Sequence, residues 1–135
     1  MIEQFVEPYN AKDIDRLMAL YAPDAEVFFF TFPPARGLEP IRAIWEWDFR
    51  AFPETNLVIT RQLSNGSMDM VEWTWTGVHG GPLEMPTGET VPPTGKTATV
   101  SGMDAVEFEA DHITKHRLYF QEVSLLTQFG LLPSP

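Results

Sequence analysis

The sequence predicts an α+β fold, with helices covering one face of an antiparallel sheet. Three observations carry that prediction. Helical periodicity is confined to the N-terminal part and a short C-terminal piece, whereas from Leu57 onward the apolar period becomes two. Turn signals at Asn65-Gly66 and Asp111-His112 interrupt the alternating stretch, so adjacent strands should pair as hairpins. With 135 residues, no internal repeat and no linker, the chain reads as a single domain over residues 1–135.

In chain order, Ile2, Phe5, Val6 and Tyr9 recur at helical spacing, and Pro8 should end or kink that first helix. Asp13 is a plausible N-cap for a second helix, whose Ile14, Leu17, Met18 and Tyr21 form one apolar stripe. The APDA segment should break it before a strand over residues 26–32, followed by a PPARG loop. A third helix is expected over residues 39–52, with Pro40 in its first turn and Arg42, Glu46 and Arg50 on its exposed side. Two long hairpins follow, separated by a Gly- and Pro-rich excursion over residues 79–95. A short helix over residues 124–130 closes the chain, with Gly130 at its C-terminus and Pro133 beyond.

Composition excludes several function classes. A formal net charge of −10 repels phosphate backbones and anionic lipid, which argues against nucleic-acid and membrane partners. The absence of cysteine removes disulfides and thiolate nucleophiles. The three histidines lack metal-ligand spacing, so no metal is expected. TGKT at 94–97 lacks the first glycine of a phosphate-binding loop, and no G-x-S-x-G elbow is present. With no long apolar run and no basic-then-apolar leader layout, the expected location is cytoplasmic.

Polar groups on apolar faces are the candidate site. If Asp111-His112 is a two-residue turn, alternation puts Asp104, Val106, Phe108, Arg117, Tyr119 and Gln121 on one face, with His116 on the other. Trp73, Trp75 and His79 share a face of the preceding hairpin. On the third helix Asp48 falls inside an apolar arc with Trp45, where a carboxylate is costly unless paired, protonated or facing a wet cavity. Asp48, His79 and Asp104 are therefore the candidates for proton chemistry.

The segments YNAKDIDRLMALYAPDAEV, GLEPIRAIWEWDFRAFPE, WTWTGVHGG, PPTGKTATVSGMDAVEF and LYFQEVSLLTQFGL, in this order, resemble the SnoaL-like polyketide cyclases of the nuclear transport factor 2-like superfamily. The resemblance implies a cone, in which a curved antiparallel sheet wraps the N-terminal helices around an apolar pocket. It also implies homodimers through the outer sheet face and cofactor-free acid/base chemistry on an aromatic polyketide. The family's catalytic Asp lies in a YFD-like segment; here that segment is YFQ, and the matching residue is Gln121. An amide can orient a ligand but cannot serve as a base.

Two functional readings stay open. In one, Asp104 or Asp48 is the base of a cyclase or isomerase acting on a small apolar or aromatic carbonyl compound, with Tyr119, Gln121 and Arg117 steadying an enolate oxygen. In the other, the chain is a non-catalytic small-molecule-binding module. Each residue also has a structural alternative. Asp104 could pair with Arg117, Gln121 could serve a backbone group, His79 could anchor its loop, and Trp45, Trp73 and Trp75 could be core as well as ligand platform.

Overall fold

The computed structural model describes residues 1–132; the stop expected at Pro133 lies outside them. The first helix, α1 (Glu3–Asn10), contains Pro8 and runs two residues past it, burying Phe5 and Tyr9. Lys12 then takes a left-handed conformation (φ 57°) that turns the chain. Asp13 caps α2 (Ile14–Met18), accepting a hydrogen bond from the Arg16 N–H. This helix is shorter than its apolar stripe suggests. Tyr21 instead begins strand β1 (Tyr21–Phe28), which absorbs the expected APDA break and leaves Phe29–Phe32 beyond its end. A short β2 (Ala35–Arg36) leads into α3 (Leu38–Ala51), which buries Ile41, Ile44, Trp45, Asp48 and Ala51.

Strands β3 (Glu54–Ser64) and β4 (Met68–Val78) form the hairpin expected at Asn65-Gly66. The 79–95 excursion carries a two-residue pair, β5 (Leu83–Glu84) and β6 (Thr90–Val91). Strands β7 (Thr97–Glu109) and β8 (His112–Phe120) form the second long hairpin, and α4 (Glu122–Gln128) closes the fold with Gly130 left-handed behind it. The main sheet has the order β2-β1-β8-β7-β4-β3. It is mixed rather than wholly antiparallel, because β1 runs parallel to β8. No short turn joins those two strands, so no local signal sets their direction. Register shifts in β3, at the β7–β8 turn and in β1 bend the sheet around the helices.

One correction decides the site. The turn of the second hairpin is Ala110-Asp111, both at positive φ (48° and 66°), as a type I′ turn requires, and not Asp111-His112. That turn alone would move the register by two and keep each side chain on its face. A bulge at Thr114, between the pairs Phe108–Ile113 and Glu107–Lys115, takes one residue back, so from Lys115 onward every β8 side chain changes face relative to β7. Asp104 lies opposite Leu118 and Val106 opposite His116, so His116 and Leu118 point inward. Arg117 and Tyr119 share the outer face with Met103 and Glu107.

Candidate functional site

A cavity opens between α1, α3 and the inner faces of β4, β7 and β8, with an empty space, mouth included, of about 870 Å³. Its walls are largely aromatic: Trp45 and Trp47 from α3, Trp73 and Trp75 from β4, with Phe5 and Phe120 among the rings around them. Leu83, Met85 and Pro86 from the 79–95 segment and Leu125 and Leu126 from α4 complete it. That segment is pinned to α3: the Gly81 N–H donates to the Ala51 carbonyl (3.1 Å), and the Trp47 indole to the Glu84 carbonyl (2.7 Å).

Two buried carboxylates reach this wall. Asp48 Oδ2 accepts a hydrogen bond from the Tyr9 hydroxyl (2.7 Å), and Tyr9 Oη accepts one from Trp75 Nε1 (2.9 Å). Lys12 stands behind them, its Nζ 4.4 Å from the Tyr9 ring centroid and hydrogen-bonded to the Thr55 hydroxyl. Burial raises the Asp48 carboxyl to about 6, against the opposing pull of the Tyr9 hydroxyl and the Lys12 charge. Burial likewise draws the Lys12 ammonium down to about 8. It also pushes the Tyr9 and Tyr21 hydroxyls well above their usual range, so both stay protonated as donors.

Asp104 sits in a second chain. Its Oδ1 accepts from Trp73 Nε1 (2.9 Å) and its Oδ2 pairs with His116 Nε2 (2.8 Å). Trp45 Nε1 donates to Tyr21 Oη (3.2 Å), which frees the Tyr21 O–H to donate to His116 Nδ1 (2.8 Å). That direction makes Nδ1 an acceptor and puts the imidazole proton on Nε2, facing Asp104. His116 is fully buried.

The structure brings five of the expected site residues to one cavity: Asp48, Asp104, Trp45, Trp73 and Trp75. It leaves four apart. His79 is buried among Phe52 and Phe129, where its Nδ1 meets the Thr94 hydroxyl (3.0 Å) and burial lowers its pKa. Its backbone holds Lys96 and Gly95, so it anchors the 79–95 segment. Arg117 pairs with Glu107 (3.0 Å), not with Asp104. Tyr119 is half exposed and stacks on Phe30. Gln121 Oε1 accepts from the Ser101 N–H (3.1 Å), on the exposed side of the strand end.

Sequence reasoning missed Tyr9, Tyr21, His116 and Glu122. Tyr9 had a usable signal: a buried hydroxyl and a buried carboxylate each need a partner, and Tyr9 and Asp48 supply one another's. His116 was hidden by the one-residue register error. Glu122 lies at the mouth, where its Oε2 accepts from the Thr31 hydroxyl (3.2 Å). Among the described residues no group of three His, Asp or Glu side chains is spaced to hold a metal ion.

Gly102 leaves room for the Trp73 indole that donates to Asp104. It lies opposite Trp73, and a Cβ there would overlap both the Trp73 indole and the Tyr119 carbonyl oxygen. Gly102→Ala should therefore destabilise the fold by about 1–3 kcal/mol and displace the indole that donates to Asp104. Urea unfolding with near-ultraviolet circular dichroism checks both, and a variant with unchanged stability and tryptophan signal would disprove the close fit.

The pattern of the SnoaL-like domain family matches residues 2–116. A SnoaL-like protein from Jannaschia sp. CCS1 superposes with a TM-score of 0.84 at 20% identity, over 98% of this chain and 90% of that one. IdmH from Streptomyces antibioticus gives 0.77 at 22% identity, over 96% and 95% of the two chains. A protein of ketosteroid isomerase-like fold from Catenulispora acidiphila DSM 44928, in complex with trimethylamine, gives 0.80 at 18% identity, over 99% and 96%. At these identities the likeness establishes the fold alone. No curated protein matches the chain significantly.

Proposed function

The chain belongs to the SnoaL-like domain family, and from that membership we propose that its cone binds a small apolar or aromatic carbonyl compound and moves a proton on it without a cofactor, as a cyclase or isomerase does. The observation that carries this reading is Asp48, a buried carboxylate on an aromatic cavity wall whose pKa lies at about 6. A group that titrates there can both take and return a proton near neutral pH. Asp48 is the proton carrier, oriented by Tyr9. Asp104, held by Trp73 and His116, is the second carboxylate within the same space.

A second reading, a binding module without turnover, is favoured by one observation. Each indole N–H on the wall is already bonded to a protein acceptor, which leaves none of them for a developing oxyanion. Liquid chromatography–mass spectrometry on a panel of polyketide esters and enolisable ketones separates the two. Catalysis predicts product from the wild type and a loss of about 100-fold or more in Asp48→Asn, with Gln121→Asp unchanged because that side chain lies outside the cavity. Saturable binding with every ligand recovered intact would select the binding module.

The same proposal takes the protein as a cytoplasmic homodimer joined through its outer sheet face, where Met70, Met103 and Tyr119 are exposed. No helix among the described residues is long and apolar enough to cross a membrane. Sedimentation equilibrium giving the monomer mass would reject the dimer.

A further inference from the structure

We propose that the apolar ligand of this cavity carries a cationic nitrogen, as a protonated amine or quaternary ammonium, and that the cavity rejects carboxylates and phosphates. This rests on the reading that the cavity holds a small molecule, and goes beyond it in assigning the charge.

The wall is largely apolar, and the few polar groups on it offer acceptors and no free donor among the described residues. Trp45 Nε1 donates to Tyr21, Trp47 to the Glu84 carbonyl, Trp73 to Asp104 and Trp75 to Tyr9. The other two side-chain donors are committed as well, Tyr9 to Asp48 and Thr31 to Glu122. Among the described residues no lysine or arginine lines the cavity, whereas three carboxylates do: Asp48, Asp104 and Glu122. Asp48 is the decisive one. It is 6% exposed, and its Oδ1 accepts no hydrogen bond from the described residues. Lys12, whose charge acts on Asp48, lies over the Tyr9 ring and is not part of the cavity lining.

An anionic ligand would meet three like charges with no side-chain donor to receive it. A neutral apolar ligand would cover Asp48 and leave Oδ1 desolvated without a partner. A cationic nitrogen satisfies that carboxylate, and the aromatic rings, whose indole N–H groups are all occupied, offer it their electron-rich faces.

Three probes of the same size test the charge: benzyltrimethylammonium, its uncharged carbon isostere neopentylbenzene, and the anion hydrocinnamate. Titrations against the full chain, followed by tryptophan fluorescence and calorimetry, should show the cation binding roughly 10-fold or more tighter than the isostere, and the anion not binding. Asp48→Asn and Asp104→Asn should each reduce the advantage of the cation while leaving binding of the isostere in place. If the isostere binds as tightly as the cation, or the anion binds best, the charge assignment is wrong and the cavity reading stands. If none of the three binds to correctly folded wild type, both are wrong.

Discussion

Asp48→Asn is expected to stabilise the protein at pH 8 by about 3 kcal/mol, an unusual gain for a single substitution in a core. The folded carboxyl titrates at about 6, against the ordinary Asp value of 3.8 that the unfolded chain keeps. Between those values the folded chain holds a proton that the unfolded chain releases. Stability therefore falls as pH rises through that window, and the penalty persists above it. Asparagine removes the titration and keeps an oxygen to accept from Tyr9. The two proteins should melt together near pH 4 and diverge by roughly 10 °C at pH 8. Parallel melting curves from pH 4 to 8 would show that Asp48 is not a strained buried acid, and the proton-carrier role would lose its support.

His116→Leu is expected to act in the opposite direction, destabilising by about 3–5 kcal/mol. The substitution strips Asp104 of its Nε2–H donor and leaves the Tyr21 hydroxyl without its acceptor, both inside the core. Adding Asp104→Leu should restore much of that loss, because an apolar pair of similar volume avoids the desolvated charge. Urea midpoints of the two single variants and the double variant close the cycle. Additive effects would mean that His116 and Asp104 are not coupled as the 2.8 Å contact implies. Asp104 lines the cavity and is hydrogen-bonded by both His116 and Trp73.

Several features of the site were legible from local pattern. Asp48 stood out as a carboxylate inside an apolar helical arc, a violation that depends only on helical period and is therefore visible in one segment. Trp73 and Trp75 were readable as inward by alternation alone. Arg117 and Tyr119 were not, because their facing depends on a bulge next to the turn. The extra residue at Thr114, between the pairs Phe108–Ile113 and Glu107–Lys115, inverts the rest of the strand, and no residue type marks it in the sequence. The parallel pairing of β1 with β8 was equally hidden, since the partners lie about 90 residues apart (Tyr21 opposite Ile113) and no turn chemistry links them.

By itself, then, the sequence determined the α+β class, the helices and hairpins, and the presence of misplaced carboxylates among aromatic residues. These follow from periodicity and turn chemistry, which act over a few residues. Only the tertiary structure decided which polar groups meet: Tyr9 with Asp48, His116 with Asp104, and every indole N–H with an acceptor. Those pairings join elements distant in the chain, and a buried polar atom is satisfied by whichever partner the packing brings within 3 Å or so. The chemical character of the cavity, an apolar wall with a few acceptors and, among the described residues, no cation, is a property of that closure and of no single segment.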